Sequence, residues 1–114
     1  LPPVNVDRVR LEQVLLNLLV NAMDVMPEGG TLTIRITLPE TQDSKSVRIE
    51  VIDTGPGIPE NLRQRIFDPY FTTKSEGTGM GLALCDKIIR QHHGSLDFHS
   101  TPNGTVFDIT LPIE

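Results

Sequence analysis

The chain has 114 residues, of which 38% are hydrophobic and 22% charged, and its formal net charge at pH 7 is −5. This composition is typical of one globular domain with a single hydrophobic core. The negative charge argues against a nucleic-acid partner, because modules that bind a phosphate backbone usually carry a basic face. It does not exclude an anionic ligand held by backbone N–H groups, which have no formal charge.

The only cysteine is Cys85, so an internal disulfide is excluded. No apolar run is long enough to span a membrane, and no basic segment followed by an apolar one opens the chain. We therefore expect a cytoplasmic domain without direct membrane contact. Because the chain begins at Leu1 rather than at a methionine, we interpret it as a piece of a longer protein.

The first half of the chain predicts one helix and two strands. A helix over 7–26 begins with Asp7 as its N-cap and ends at the PEGG turn, 27–30. Strict alternation of apolar residues predicts a half-buried strand over 31–38, followed by a polar loop at 39–46. A second alternating strand over 47–53 follows, and the short connection favours antiparallel pairing. The inward residues of the two strands are Leu32, Ile34, Ile36, Leu38, Val47, Ile49 and Val51.

The second half predicts two more helices and a β-hairpin. Residues 60–67 are expected to form a short helix, and 68–81 a long loop of the kind that is usually functional or disordered. An amphipathic helix over 82–93 is expected to end at Gly94 as its C-cap. Strands at 95–100 and 105–111, joined by the TPNG turn, close the chain. This order predicts an α+β, two-layer sandwich with a mainly antiparallel, mixed sheet and helices on one face.

A polar stripe interrupts the first predicted helix. At about 100° per residue, four polar residues fall within an arc of roughly 80°, and they are Gln13, Asn17, Asn21 and Asp24. A solvated stripe would more naturally carry Lys, Glu or Arg, because asparagine is a poor helix former. Amide oxygens bind hard cations and amide NH₂ groups donate to phosphates. The stripe therefore indicates either a solvated face or the wall of a ligand site.

Asp53 continues the inward face of the second predicted strand. A buried, unpaired carboxylate costs several kcal/mol, so it needs a partner. One interpretation is an Asx interaction that caps the TGPG turn. The other is an acceptor for the exocyclic amine of a ligand, with Gly55 and Gly57 leaving room for a flat ring.

Three glycines, Gly77, Gly79 and Gly81, lie at the entry to the helix over 82–93. Glycine costs up to about 1 kcal/mol inside a helix, so three of them indicate unusual backbone angles or a close approach. A helix N-terminus can bind phosphate, but neither the Gly-Lys-Ser/Thr pattern nor the dinucleotide fingerprint is present. The segment is therefore a different kind of phosphate loop or a flexible hinge.

Five ordered segments, NLLVNAMD, DTGPGIP, IFDPYFTTK, GTGMGLAL and GTVFDITLP, together resemble the ATP-binding catalytic domain of sensor histidine kinases. This family belongs to the Bergerat-fold ATPases. The stretches NAMDVMPEGGTLTI and FDPYFTTKSEGTGMGLAL most resemble its nitrogen-regulation and oxygen-sensing branch. The resemblance runs from about Asp7 to Pro112. It implies that the domain presents the γ-phosphate of Mg-ATP to a histidine on another domain.

The resemblance implies roles for residues at matching positions. Asn21 would bind the Mg²⁺ that bridges the phosphates, with Asn17 beside it, and Asp53 would accept the adenine amino group. The other implied nucleotide contacts are Gly55, Gly57 and Ile58 along the ring, Phe67, Tyr70 and Phe71 in a lid, Lys74 near the phosphates, Gly77, Thr78, Gly79, Met80, Gly81 and Leu82 around the triphosphate, and Thr105 at the pocket floor. No catalytic residue is assigned within the chain, because the acceptor histidine and any assisting base would lie outside it.

Two positions depart from the pattern of related families. Hydrolytic relatives carry a glutamate general base where this chain has Asn17, so the amide favours transfer to a protein over hydrolysis. Many histidine kinases carry Lys or Arg at the position of Asp24, whose role stays open.

The resemblance also implies what lies outside this chain. The family's phosphoacceptor histidine belongs to a separate helical-hairpin dimerisation domain, so we expect His92, His93 and His99 to be structural and Cys85 to be a core residue. Residues 1–114 would be one catalytic domain that lacks this hairpin and the first strand or strands of its own sheet. The expected partners are the hairpin domain of the same kinase, a response regulator and, through the hairpin, a second copy in a homodimer. The full-length protein would be cytoplasmic or anchored in a membrane.

Two alternative functions stay open at this point. One is a non-catalytic nucleotide-binding regulatory module similar to anti-sigma factors. The other is a Bergerat-type ATPase that hydrolyses ATP by itself.

Overall fold

The computed structural model describes residues 7–38, 46–68 and 81–112. Their order along the chain is α1 (Arg8–Asp24), β1 (Leu32–Thr37), β2 (Ser46–Asp53), a 3₁₀ helix (Glu60–Leu62), α2 (Gly81–Gln91), β3 (Ser95–Thr101) and β4 (Gly104–Pro112). The described strands form one sheet in the order β1-β2-β4-β3, with antiparallel pairing throughout. The predicted two-layer α/β sandwich is confirmed.

The hydrophobic core lies between the helices and one face of the sheet. Successive side chains of a strand point to opposite faces, and the inward residues of both central strands are buried. These are Val47, Ile49 and Val51 of β2, with Thr105, Phe107, Ile109 and Leu111 of β4. The helices add Val14, Leu18, Cys85, Ile88 and Ile89. The predicted inward parity of both strands is therefore confirmed.

β1 is an edge strand whose apolar face is largely exposed, which corrects the expectation of a half-buried strand. It pairs with β2 as predicted, but Ile34 is 48% exposed, Ile36 46% and Leu38 43%. The helix α2 packs against β3, while α1 lies over β2 and only part of β1. Alternation identified the correct face, but it carries no information on which part of that face the helices cover.

Asp7 caps α1 as predicted. Its Oδ1 accepts the N–H groups of Val9 at 3.0 Å and Arg10 at 3.2 Å, which satisfies donors that a helix start leaves unpaired. The Asp7 N–H in turn donates to His92 Nε2 at 3.0 Å, while His92 Nδ1 lies 2.8 Å from the carbonyl oxygen of Ile88. These two contacts require the His92 ring to carry its proton on Nδ1. His92 thus ties the start of α1 to the end of α2.

Residues 60–67 form a 3₁₀ helix followed by turns instead of one continuous helix. Leu62 N–H donates to Pro59 O and Arg65 N–H to Leu62 O, each at 2.9 Å, which is the i to i+3 spacing of a 3₁₀ turn. So short a segment cannot sustain an α-helix without strong tertiary support. Here the burial of Ile66 decides its path.

The end of α2 corrects the expectation that Gly94 is the left-handed cap. His93 adopts the positive φ, at 63°. His93 N–H donates to Arg90 O and Gly94 N–H to Ile89 O, both at 3.0 Å, which is the bond pair of a Schellman motif. Glycine is required at position 94 for space, because a Cβ there would lie 2.3 Å from the carbonyl oxygen of Thr110.

This geometry predicts opposite effects for two neighbouring substitutions. His93→Gly should stabilise the fold by about 0.5–1 kcal/mol, because glycine adopts positive φ without a Cβ penalty. Gly94→Ala should destabilise it by about 1–3 kcal/mol, because the added methyl group meets the β4 backbone. Urea unfolding of both variants measures the two effects. A stabilising Gly94→Ala would contradict this assignment.

Candidate functional site

The structure describes ten of the predicted site residues. They are Asn17, Asn21, Asp53, Gly55, Gly57, Ile58, Phe67, Gly81, Leu82 and Thr105. The remaining predicted residues, Tyr70, Phe71, Lys74, Gly77, Thr78, Gly79 and Met80, lie outside the described part of the chain.

Asp53 ends β2 on the inward face and is only 6% exposed. Its Oδ1 accepts the N–H of Gly55 at 2.9 Å and the N–H of Thr105 at 3.3 Å. The first bond is the Asx interaction that the structural interpretation of Asp53 expected, and the second joins β2 to β4. No residue in the described ranges donates to Oδ2. The carboxylate therefore has a structural role and still presents one oxygen that a ligand can use.

The two glycines after Asp53 lie in tight contact with other parts of the protein, and Gly57 is required there by its backbone angle and by lack of space. A Cβ at Gly55 would lie 3.0 Å from Val25 Cγ2 and 3.1 Å from Asp53 Oδ1. Gly57 has a φ of 81°, and a Cβ there would lie 2.1 Å from the carbonyl oxygen of Thr101. The glycines thus let the loop pass close to α1 and β3. Their predicted contact with a flat ring stays a prediction.

A buried pair of hydroxyl groups lies beside Asp53, and sequence reasoning identified only one of them. Thr105 is 4% exposed and Ser100 is 7% exposed, with their hydroxyl oxygens 3.0 Å apart. Ser100 Oγ also accepts the N–H of Ile58 at 2.7 Å. One signal in the sequence could have identified Ser100. Alternation along β3 places it on the same inward face as Leu96, where it is a polar residue on an apolar face.

The polar stripe of α1 divides into two parts. Gln13 and Asp24 are exposed, whereas Asn17 and Asn21 are partly buried. Asn17 faces the start of α2, where a Cβ on Gly81 would lie 3.9 Å from Asn17 Oδ1. The solvated interpretation therefore holds for the outer residues of the stripe. The asparagines lie toward the interior, and Asn17 lies beside the predicted phosphate-binding helix start.

Cys85 is a fully buried core residue on α2. Burial raises the pKa of its thiol to about 11, and a hydrogen bond with the Asn17 side chain opposes that rise. The thiol also donates to the carbonyl oxygen of Val14 at 3.7 Å. The cysteine thus contacts α1 at the Val14 carbonyl and at the Asn17 side chain.

The remaining described site residues lie on either side of residues 69–80, and they are Phe67, Gly81 and Leu82. Gly81 opens α2, so its N–H is one of the donors that a helix start leaves without an intrahelical partner, and Leu82 packs against the core. Phe67 packs against Phe98 with ring centroids 5.9 Å apart at 66°. Phe67 and Leu82, on either side of the segment, therefore pack on the core.

A cleft of about 320 Å³ lies between the end of α1 and the loop after β2. Val25, Met26, Thr54 and Gly55 contribute to its lining. Gly55 is the one predicted site residue among those lining it, so sequence reasoning missed the apolar wall formed by Val25 and Met26. Their position in the sequence could have indicated this role, because both lie at the end of the apolar run of the first predicted helix, directly before the PEGG turn.

Comparison with known proteins connects this geometry to one family. The model of the histidine kinase-, DNA gyrase B- and HSP90-like ATPases matches residues 6–114. The C4-dicarboxylate transport sensor protein DctS of Rhodobacter capsulatus is 44% identical over 99% of this chain, which spans 17% of DctS. The sensory histidine kinase/phosphatase NtrB of Azospirillum brasilense is 42% identical, and the chain spans 31% of it. The chain thus corresponds to less than a third of these relatives.

Solved structures agree with these relatives. The catalytic domain of histidine kinase ThkA superimposes with a TM-score of 0.84 at 41% identity, over 96% of this chain and 70% of that one. Full-length ShkA in complex with AMPPNP gives a TM-score of 0.84 at 31% identity, over 99% of this chain and 23% of ShkA. Within residues 7–38, 46–68 and 81–112, no helix is long and apolar enough to cross a membrane.

The raised pKa of Cys85 predicts a loss of stability in alkali. Its folded pKa of about 11 lies above the ordinary thiol value of about 8.5. Below about pH 8 the Cys85 thiol is protonated in both the folded and the unfolded chain, so its contribution to the free energy of unfolding is complete. As the pH rises further, the thiol of the unfolded chain ionises first, and the free energy of unfolding falls by about 1–2 kcal/mol at about pH 10. Urea unfolding at several pH values should show this loss for the wild type.

The control for this prediction is Cys85→Ala. The cavity that this substitution leaves in the core lowers stability at every pH, but the variant has no ionisable thiol. The difference in unfolding free energy between wild type and variant should therefore shrink as the pH rises. Parallel curves for the two proteins would contradict the assigned pKa shift.

Proposed function

The chain belongs to the histidine kinase-, DNA gyrase B- and HSP90-like ATPase family, as an ATP-binding catalytic domain of the histidine kinase type, and from this premise we propose how it works. In our proposal it holds Mg-ATP so that the γ-phosphate faces a histidine on another domain. The single observation that carries the proposal is the buried Asp53 carboxylate. One of its oxygens is held by the protein, and no residue of the described chain donates to the other.

The adenine end of the proposed site is built on Asp53 and Thr105. The two residues are directly opposite each other on β2 and β4, so their inward side chains are neighbours. Asp53 Oδ2 accepts the exocyclic amino group of adenine, and the loop containing Gly55, Gly57 and Ile58 borders the ring.

The phosphate end lies where α1 meets α2. Asn17 is close to Gly81 at the start of α2, which supports a site where amide groups and free N–H donors act on the same phosphates. In our proposal Asn21 contributes its amide oxygen to Mg²⁺. The predicted residues outside the described ranges, from Tyr70 to Met80, complete this end as lid and phosphate loop.

The donor set suits Mg²⁺ more than a metal held by protein ligands alone. In the described part of the chain, no three His, Cys, Asp or Glu side chains form a group that could hold a metal ion. Mg²⁺ is commonly bound by one or two protein oxygens together with substrate phosphates and water. When bound, it neutralises charge on the transferring phosphoryl group.

Catalysis in this proposal depends on positioning and charge neutralisation. A nitrogen of the acceptor imidazole forms a bond to the γ-phosphorus while the bond to the β,γ-bridging oxygen breaks, and ADP leaves. The chain supplies binding and orientation. Asn17 cannot act as a general base for water, since an amide does not accept a proton at neutral pH.

The partners in this proposal lie outside the chain. The acceptor histidine belongs to a helical-hairpin domain of the same kinase, which also makes the homodimer, and the phosphoryl group then passes to a response regulator. The solved complex of histidine kinase ThkA with response regulator protein TrrA supports this kind of partner. The domain works in the cytoplasm, where ATP is available.

A phosphotransfer assay separates this function from its two rivals. The chain is incubated with γ-labelled ATP and a histidine-hairpin domain, with a hairpin whose histidine is replaced by glutamine as the control. We expect acid-labile label on the unmodified hairpin alone. Tight binding without transfer would favour the non-catalytic module, and steady phosphate release by the chain alone would favour the ATPase.

Asp53→Asn should weaken binding of Mg-ADP by about tenfold to a hundredfold, since a charge-assisted hydrogen bond to the base is lost. Asparagine can keep its oxygen on the Gly55 and Thr105 N–H groups, so the fold should persist. Calorimetric titration gives the affinity, with Asp97→Asn, on the exposed outer face of β3, as control. Unchanged affinity in Asp53→Asn would remove Asp53 from the site.

Asn21→Ala should remove most of the Mg²⁺ dependence of nucleotide binding, because the amide oxygen is the proposed protein ligand. The measurement is the affinity for ADP across a Mg²⁺ titration. Gln13→Ala is the matched control, because Gln13 lies on the same stripe but is exposed. A Mg²⁺ titration identical to wild type would refute this role of Asn21.

A further inference from the structure

The side chain of Met26 lies where the end of α1 meets two loops of the sheet. Met26 follows Val25, the residue that caps α1, and it is partly buried. A Cβ on Gly30, in the turn before β1, would overlap with Met26 Sδ. A Cβ on Gly55, in the loop after β2, would lie 3.3 Å from Met26 Cγ. The thioether therefore fills the space that the two glycines leave between this turn and this loop.

The sulfur of Met26 is also the last acceptor in a short chain of hydrogen bonds. Thr54 Oγ1 accepts the N–H of Thr31 at 2.9 Å and donates its own proton to Met26 Sδ at 3.6 Å. Both directions are fixed, because a backbone N–H can only donate and a thioether sulfur can only accept. Since Thr31 comes directly before β1 and Thr54 directly after β2, the chain ties the ends of the two strands to the end of α1.

Met26 lines the open cleft of about 320 Å³ at the end of α1, so a small oxidant such as hydrogen peroxide can reach its sulfur. In this reaction a lone pair of the sulfur attacks one peroxide oxygen, the O–O bond breaks, and the products are a sulfoxide and water. The fully buried thiol of Cys85 does not compete, because reaction with peroxide requires an accessible thiolate.

The packed position of Met26 has room for a thioether but not for a sulfoxide. A methyl group on Gly30 would already overlap with the sulfur, and on its other side the Thr54 hydroxyl oxygen is only 3.6 Å away. The oxidised side chain is also more polar, so it turns out toward the cleft. Gly55 then loses the side chain that packs on it, and Gly55 N–H is the donor that holds Asp53 Oδ1 at 2.9 Å.

We propose that Met26 is an oxidation site through which peroxide lowers the nucleotide affinity of the domain. This inference rests on the proposed nucleotide-binding function and adds to it a reversible control of the adenine end of the site. The change passes from Met26 to Gly55 and from Gly55 to the Asp53 carboxylate.

The test measures the dissociation constant of Mg-ADP by calorimetry before and after treatment with hydrogen peroxide. Wild type is compared with Met26→Leu, which nearly conserves the volume, and with Met23→Leu, whose methionine is 57% exposed on α1. Mass spectrometry of peptides measures the sulfoxide at each methionine, including Met80 outside the described ranges. We expect peroxide to weaken binding about fivefold in wild type and in Met23→Leu, and to leave Met26→Leu unchanged.

A second measurement follows the structural step without any nucleotide. The amide resonances of Thr31 and Gly55 should shift when Met26 is oxidised, and methionine sulfoxide reductases should restore both the resonances and the affinity. Unmoved resonances, unchanged affinity with a sulfoxide at Met26, or the same weakening in Met26→Leu would overturn the inference and leave the proposed function intact. Untreated wild-type protein that does not bind Mg-ADP would overturn both.

Discussion

The buried carboxylate of Asp53 is the contact on which the geometry of the site depends. At 6% exposure it would be costly without partners, and its Oδ1 is satisfied by the N–H groups of Gly55 and Thr105. One bond fixes the turn after β2, and the other fixes the pairing of β2 with β4 at that end. Because the protein holds one oxygen so firmly, the direction of the other is set before any ligand arrives, which is what preorganisation requires.

The two helices are joined by polar contacts at separate points along their length. His92 at the end of α2 accepts the N–H of Asp7 ahead of α1, and the Cys85 thiol of α2 donates to the carbonyl oxygen of Val14 in α1. A shift of either helix along its axis would disturb both contacts. The proposed phosphate end of the site therefore has a rigid base, and a chain with a net charge of −5 can meet a triphosphate there through neutral amides and backbone donors.

Much of the fold and part of the site were predictable because they depend on short-range patterns. Alternation in β2 and β4 identified the buried faces that carry Asp53 and Thr105, and the N-cap role of Asp7 follows from local chemistry. The exposed face of β1 was not predictable, since coverage by helices is a property of packing. Ser100 was missed although its parity was visible, because only the contact with Ile58 distinguishes it from an ordinary strand serine.

The sequence by itself determined the family, the order of the strands and main helices, and the inward faces of β2 and β4, because periodicity and motif spacing are written along the chain. The tertiary structure alone decided which glycine supplies space and which residue takes the positive φ at the end of α2. Gly94 supplies space beside the carbonyl oxygen of Thr110 on β4, and His93 adopts the positive φ. It also decided that Ser100, Thr105 and Asp53 form one row, because their proximity arises from strands that are distant in sequence and meet only in the sheet.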